Sequence, residues 1–265
     1  MTFMLWVCLF AFGTPAVTVP QGSIGRWVGD CEACGMDGKV YKPVDGACYY
    51  PIDVARVPGI IEIARWVGGT MEKGWLTIEK VDFPTDEIDF PDERYVHLSQ
   101  EDLQRHYAEQ SQIKPMFKKS GGDPQFTLPL GAPADPLPRG GYFGDHRIFN
   151  GVPKGQHSGV DYPIGEGNPI LAPADGFVVL TGDHFFAGKS VYVYHGNGLV
   201  TMYFHLLDIT TDKDAAVKKG DTLAKTGSTG RSTGPHLHLG ARWLGARIDP
   251  ALLLGDPAAL PEVGE

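Results

Sequence analysis

Three short histidine groups in the C-terminal half of the chain carry side chains that could bind a metal ion. They are "HSGVD" from His157 to Asp161, "YFH" ending at His205, and "HLH" from His236 to His238. Side chains two residues apart in a strand lie on the same face, so His236 and His238 are expected to point together. His157 and Asp161 share a face if the chain is extended, and they can also converge around a turn.

Two imidazoles and one carboxylate are a common ligand set for a catalytic Zn²⁺, because they leave one position open for water. Spacing alone predicts a set of His157, Asp161 and one member of the His236/His238 pair, with the other member beside the metal. Either motif by itself is more often structural than functional. Their occurrence in one predicted β unit, with His205 between them, favours a zinc site.

The elements that must position these residues are predicted to be strands. Residues 145–255 hold β-branched and aromatic runs broken by glycine turns, which is typical of a mostly antiparallel β domain. In residues 20–97, the segments "KVYKPV", "ACYYPIDV", "IIEIARWV" and "WLTIEKVDF" alternate with turn residues. They predict a small antiparallel, sandwich-like β domain, so the expected fold class is mostly β.

A short helix is predicted between the two β units, over residues 98–119. Ser99 is the expected N-cap, and Pro115 is expected to end or kink the helix. Residues 120–144 are rich in Gly and Pro and predict a linker or an extended arm, while residues 256–265 form a short tail. Because the helix and the arm precede the histidine motifs in the chain, one hypothesis is that they occlude the cleft in which the predicted zinc site would lie.

The N-terminus, residues 1–17, resembles a secretory signal peptide. Its apolar run from Phe3 to Phe12 is too short to span a bilayer and is followed by small residues, with cleavage expected near Ala16. No basic residue precedes the apolar run, and a buried N-terminal strand is the alternative. The signal peptide predicts an exported protein.

Whether the cysteines form a disulfide depends on whether the protein is exported. In an exported chain, Cys48 is expected to form a disulfide with Cys31 or Cys34, which leaves one thiol over. Spacing does not choose between the two pairings. A zinc site at "CEAC" and Cys48 is the alternative, but no fourth ligand stands close by.

Charge excludes some partners. The net charge is −9, while residues 145–249 hold ten acidic and ten basic residues, so the acidic excess lies outside the histidine-rich half. No basic stripe is present, which argues against a nucleic-acid partner. After removal of the signal no membrane span is expected, and the oligomeric state is not predicted.

Three longer stretches closely resemble the M23 family of zinc metallopeptidases, the LytM or lysostaphin-like peptidoglycan endopeptidases. They lie within residues 145–252 and read "HSGVDYPIGEGNPILAPADGFVV", "FFAGKSVYVYHGNGLVTMYFHLL" and "VKKGDTLAKTGSTGRSTGPHLHLG". The N-terminal region is more weakly similar to the β domain that precedes the peptidase in some secreted members.

The resemblance implies that His157, Asp161 and His238 bind one Zn²⁺ per chain, and that His205 and His236 are non-ligating catalytic histidines. It further implies an endopeptidase that hydrolyses peptide cross-links of bacterial peptidoglycan, in the periplasm or cell envelope. Some relatives lack these residues and only activate amidases. All five positions are present here, which favours an enzyme over a non-catalytic peptidoglycan-binding module or amidase activator.

No "HExxH" occurs, so the general base is not the glutamate of that motif. His205 and His236 are the candidates for proton transfer, and a protonated histidine or Tyr203 is a candidate for stabilising the oxyanion. A D,D-endopeptidase acting on direct cross-links is the first expectation, and cleavage of glycine bridges is the alternative. A related D-Ala-D-Ala dipeptidase or an amidase is a further rival.

Overall fold

A computed structural model describes residues 14–264 of the chain. Most of the predicted signal peptide, residues 1–13, therefore lies outside the described residues. Within the described part the chain is mostly β, as predicted. No helix in residues 14–264 has the length and apolar character needed to cross a membrane.

Two sheets are formed by the first seven strands. One has the order β1-β7-β6-β3-β4 and the other is the pair β2-β5. Only β1 and β7 pair in parallel; the other pairs are antiparallel. The bounds are β1 (Ala16–Pro20), β2 (Ile24–Val28), β3 (Ala33–Met36), β4 (Lys39–Tyr41), β5 (Ala47–Pro51), β6 (Gly59–Val67) and β7 (Thr70–Glu79).

A nine-stranded antiparallel sheet carries the histidine motifs. Its main order is β11-β18-β15-β14-β13-β16, with β12 and β17 paired beside β15 and with β19 on β18. The bounds are β11 (Gly159–Tyr162), β12 (Pro169–Leu171), β13 (Gly176–His184), β14 (Gly188–Tyr194), β15 (Leu199–Ile209), β16 (Ala216–Val217), β17 (Thr222–Thr226), β18 (Leu237–Trp243) and β19 (Ala246–Ile248).

A third sheet connects the predicted N-terminal unit to the predicted catalytic unit. Strand β8 (Thr85–Ile88) pairs in parallel with β9 (His146–Phe149), which pairs with β10 (Val152–Gln156). The parallel β8–β9 pair joins residues that are about 60 positions apart in the chain. Residues on both sides of the predicted boundary thus share one sheet.

Helix α1 (Gln100–Ile113) lies between β8 and β9 in the chain and ends in a 3₁₀ turn (Lys114–Lys118). Ser99 is its N-cap, as predicted, because the hydroxyl accepts a hydrogen bond from the Asp102 backbone N–H at 3.1 Å. A five-residue helix α2 (Pro250–Leu254) follows β19, and two further 3₁₀ turns cover Glu93–Tyr95 and Pro257–Ala259.

One hydrophobic core joins the N-terminal sheets to the large sheet. The Tyr49 ring of β5 stacks on Trp243 of β18 at 5.5 Å, and Phe126 from the predicted arm meets the same indole edge-on at 5.4 Å. Leu260 and Val263 of the predicted tail are buried in this core. Arm and tail are therefore packed segments that help to bind the two predicted units together.

The disulfide joins Cys34 of β3 to Cys48 of β5, which decides between the two pairings that the sequence left open. Cys31 is the remaining free thiol among residues 14–264, and its Sγ lies 3.5 Å from the Sγ of Cys48. The bond ties the two N-terminal sheets together close to Tyr49.

We predict that Cys48→Ala lowers the free energy of unfolding by about 3 kcal/mol, because the disulfide closes a short loop and restricts the unfolded chain. Denaturant unfolding of the oxidised protein measures this. Cys31→Ala is the matched control and should leave the midpoint nearly unchanged. A Cys31→Ala loss equal to that of Cys48→Ala would place the bond at Cys31 instead.

His195, just after β14, is a buried histidine outside the motifs. Its Nδ1 is 2.7 Å from the Asp175 carbonyl oxygen and its Nε2 is 2.8 Å from Thr201 Oγ1. Burial lowers the pKa of His195 to about 4, so the ring is neutral at pH 7. These bonds hold the β14–β15 turn against the turn that precedes β13.

The depressed pKa of His195 predicts a pH-dependent stability. Between pH 6.5 and about 4 the unfolded chain binds a proton that the folded chain excludes, so stability falls as pH falls. The loss from this group is about 3 kcal/mol across that window. In denaturant unfolding over the same pH range, the free energy of unfolding of His195→Gln should fall less than that of wild type, by that amount. An equal fall in both proteins would contradict the assignment.

Candidate active site

The register of three neighbouring strands brings the motif residues together. Asp161 of β11 pairs directly with His238 of β18, which in turn pairs with Phe204 of β15. His236 lies just before β18, and its Nε2 is 3.7 Å from Asp161 Oδ1, while His238 Nδ1 is 2.9 Å from the same oxygen. The two histidines of "HLH" therefore point to one side, as predicted.

Three candidate ligand atoms converge at this point. His157 Nε2 lies 3.2 Å from Asp161 Oδ1, and His238 Nδ1 lies 2.9 Å from both His157 Nε2 and that oxygen. Metal–ligand bonds of 2.0–2.1 Å in a tetrahedral zinc site hold neighbouring ligand atoms about 3.3 Å apart. The three atoms are therefore spaced as three ligands of one zinc ion would be.

Surrounding groups orient the two imidazoles. His157 Nδ1 is 2.8 Å from the Tyr142 carbonyl oxygen, which can only accept, so the ring donates there and presents the Nε2 lone pair to the cluster. Burial lowers the pKa of His238 to about 4, which keeps it neutral. A Cβ at Gly159 would lie 2.5 Å from His238 Nε2, so this position requires glycine.

The Asp161 carboxylate is mostly buried and stays ionised. Burial acts to raise its pKa, but the adjacent His157 and His238 side chains outweigh burial and hold the pKa well below its ordinary range. Its second oxygen, Oδ2, accepts a hydrogen bond from Arg147 Nη2 at 2.7 Å. The motifs did not predict Arg147, because it lies on β9 and reaches the site only through the fold.

His205 sits in an irregular part of β15. The pairing with β14 shifts register here, and His205 has φ +62°, an unusual left-handed conformation for this residue type. Its backbone N–H donates to the Ala187 carbonyl at 2.8 Å, and its Nδ1 is 2.8 Å from the Thr229 carbonyl. The Nδ1–H therefore donates to Thr229, and Nε2 remains available as an acceptor.

His236 completes the histidine cluster. Its Nδ1 is 2.8 Å from the Gly234 carbonyl oxygen, which again leaves Nε2 free, and its ring centroid is 4.8 Å from that of His205. Burial, followed by the charges of His236 and His238, lowers the pKa of His205 well below its ordinary value. His205 is accordingly a neutral imidazole that can accept a proton.

The prediction that Tyr203 could stabilise an oxyanion is wrong. Its side chain is fully buried, and its hydroxyl lies 2.8 Å from Thr201 Oγ1 inside the core. Neighbouring side chains of a strand alternate between faces, so Tyr203 points away from the cleft while Phe204 stacks on His238 at 5.0 Å. The other predicted site residues, from all three histidine groups, are brought together.

Helix α1 forms one wall of the cleft. The His106 ring meets Phe186 edge-on at 4.9 Å, and the Glu109 carboxylate accepts hydrogen bonds from the Phe185 N–H at 3.0 Å. A cavity of about 270 Å³ lies between this helix and the histidine cluster, where it is lined by His205 and His238. A substrate that reaches the cluster from this side must pass α1.

Comparisons with a family model, with known sequences and with solved structures all find similarity to peptidases. Residues 155–250 match the family model described as Peptidase family M23, which confirms the resemblance. The peptidoglycan DD-endopeptidase ShyA of Vibrio cholerae is 43% identical over 82 residues, which are 31% of this chain and 19% of that protein. The DD-carboxypeptidase/endopeptidase Mpg of Neisseria meningitidis is 40% identical over 94 residues, 36% of this chain and 22% of Mpg.

The matched segment thus spans about a fifth of each of these two relatives. A solved structure extends the similarity to the N-terminal sheets. The crystal structure of a Pseudomonas aeruginosa protein assigned to peptidase M23 is 29% identical, covers 89% of this chain and 95% of its own, and superimposes with a TM-score of 0.69. The combination of N-terminal sheets, helix and histidine-bearing sheet is therefore a shared architecture.

The geometry distinguishes the three candidate ligand residues from the neighbouring histidines, and measuring the metal content of variants tests this distinction. We expect one Zn²⁺ per purified chain, lost in His238→Ala because Nδ1 is one of the three converging atoms. The matched variant His236→Ala should keep the metal, because its Nε2 lies farther from Asp161. Elemental analysis after dialysis measures both, and equal loss from the two variants would contradict the ligand set.

Proposed function

We propose that this chain, whose residues 155–250 form a peptidase family M23 domain, is a zinc-dependent endopeptidase that hydrolyses peptide cross-links of bacterial peptidoglycan. The convergence of His157, Asp161 and His238 within 3.2 Å carries the proposal. The matches to ShyA and Mpg support this choice of substrate.

The chemistry would be shared between the metal and the two free histidines. A bound Zn²⁺ lowers the pKa of water and polarises a carbonyl group. The Nε2 atoms of His205 and His236 face the cleft as acceptors, because carbonyl oxygens hold both Nδ1–H groups. One of these imidazoles takes the proton of the attacking water and delivers it to the leaving amine.

The surrounding parts of the chain are assigned supporting roles. Residues 145–255 act as the catalytic unit, and residues 20–97 support it through the common core. The helix within residues 98–119 restricts access to the cleft, while the arm of residues 120–144 braces the two units. We further propose that residues 1–17 direct export, and that the enzyme acts in the periplasm or cell envelope.

A non-catalytic wall-binding module or amidase activator is the alternative function. Such a protein has no need of a ligand cluster or of two oriented free histidines beside it. The present cluster therefore favours hydrolysis. A preference for direct D,D cross-links over glycine bridges is the finer part of the proposal.

We predict that His205→Ala and His236→Ala each lower kcat by a factor of about 10²–10⁴, the usual contribution of a general acid–base. Purified peptidoglycan with zinc-loaded protein is the assay, read as new peptide amino termini. His97→Ala, at an exposed histidine, is the matched control and should keep full activity.

The reaction products distinguish an endopeptidase from an amidase. New amino termini on cross-linking peptides support an endopeptidase, whereas free lactic acid ends on the sugar indicate an amidase. Zinc-loaded wild-type protein that releases no fragment would overturn the proposed function and favour the binding or activating module.

A further inference from the structure

A half-buried arginine beside the histidine cluster has no counter-ion. The Arg231 guanidinium lies between two aromatic rings, 4.9 Å from the Phe149 centroid and 4.4 Å from the Phe186 centroid. Its backbone N–H donates to the Phe186 carbonyl at 2.9 Å, which fixes the start of the side chain. Among residues 14–264, no salt bridge and no side-chain hydrogen bond involves this guanidinium, and the charge that acts on it is that of Arg147.

The neighbouring charge makes this arrangement more costly. Burial, and then the charge of Arg147, lower the pKa of Arg231 to about 10, so the group remains a cation at neutral pH. Arg147 is itself neutralised, because its Nη2 donates to Asp161 Oδ2 at 2.7 Å. A partly desolvated cation without a partner is unfavourable unless a ligand supplies the anion.

The position of Arg231 is at the junction of two cavities. One, of about 270 Å³, is lined by Arg231 together with His205 and His238. The other, of about 670 Å³, is lined by Arg231 together with Asp161 and His236. A ligand group that reached the guanidinium from either cavity would lie beside the proposed reaction centre.

The smaller cavity is cationic although the whole chain is acidic. Besides Arg231 its lining includes three more cations, Arg147, Lys154 and Arg242, and one carboxylate, Glu109. Both oxygens of that carboxylate already accept hydrogen bonds from the Phe185 N–H. The lining therefore attracts anions. Arg147, Lys154 and Arg242 each donate a side-chain hydrogen bond within the protein, whereas Arg231 makes none among the described residues.

We propose that Arg231 is a substrate-binding residue that forms a bidentate hydrogen-bonded pair with a carboxylate of the peptide substrate. The planar guanidinium suits a carboxylate, and the two flanking rings hold it in one orientation. The inference rests on the proposed function, since it names a feature of the substrate at the same site. The carboxylate is either at the C terminus of a peptide stem or on an internal residue of the stem.

The competing explanation is that Arg231 only joins β9, through Phe149, to the segment that holds Phe186. If the role is structural, replacing Arg231 would lower the activity on every substrate equally. If the role is binding, the loss of activity would depend on the carboxylate of the substrate. The two are separated by pairing Arg231→Met, which keeps an unbranched apolar side chain, with substrates that lack one carboxylate.

The experiment uses the zinc-loaded full chain and three synthetic cross-linked peptide dimers. One dimer is unmodified, one is amidated at its C terminus, and one is amidated at its internal carboxylates. For the unmodified dimer, Arg231→Met should lower kcat/KM by about 10- to 100-fold, mainly through KM, the range for a charged hydrogen-bonded pair. On the dimer that lacks the recognised carboxylate, wild type and variant should be equally slow.

Arg65→Met is the matched control, because Arg65 also stacks on an aromatic ring, 4.3 Å from the Trp27 centroid, but lies on β6 outside the cleft. It should retain wild-type kinetics on all three dimers. An equal loss on all dimers for Arg231→Met would overturn the proposal in favour of a structural role. No loss on any dimer would overturn it as well.

Binding is measured separately from cleavage so that the two proposals can fail independently. Calorimetry with His236→Ala, which is expected to bind without cleaving, is compared with His236→Ala combined with Arg231→Met. If Arg231→Met weakens binding of the unmodified dimer but not of the dimer that lacks the recognised carboxylate, the carboxylate site is supported. This holds even if wild-type protein cleaves nothing. Cleavage by wild type with no dependence of binding on Arg231 keeps the proposed function and overturns the carboxylate site.

Discussion

The carboxylate of Asp161 is the group on which the arrangement of the site depends. One of its oxygens faces His157 and His238, and the other accepts a hydrogen bond from Arg147. Burial alone would raise the pKa of this carboxyl group, and these partners keep it charged. Its place is set by the antiparallel register of β11 on β18, since a slip of one residue would turn Asp161 to the opposite face.

That sheet does not complete the site by itself. Arg147 belongs to β9, whose parallel neighbour β8 precedes helix α1, and the helix supplies a wall of the cleft. The Tyr49–Trp243 stack and the buried tail anchor the N-terminal sheets to the strand that carries His238. The candidate ligand cluster and the cleft are thus held by elements from most of the described chain.

The parts of the structure that could be predicted from sequence are those fixed by local pattern. Period-two spacing placed His236 and His238 together, and Ser99 followed by Asp102 marked the start of the helix. Resemblance to a family, rather than spacing, selected His238 over His236 as the candidate ligand. The partner of Cys48 depended on how β3 and β5 lie in space, which cysteine spacing does not encode. Arg147 and Arg231 gained their significance only from contacts between distant segments.

Strand β15 shows why regular alternation was not enough. Tyr203 and Phe204 follow the rule, one facing the core and the other stacking on His238. His205 would then turn back to the core, but the shifted register and its left-handed backbone direct it to the cleft beside Phe204. Such a conformation costs about 1–3 kcal/mol and persists only where other contacts fix it. Here the Ala187 and Thr229 carbonyls supply those contacts, and both lie outside the strand. The position of this histidine therefore depends on hydrogen bonds to two loops, which is why the motif alone could suggest its role but not its orientation.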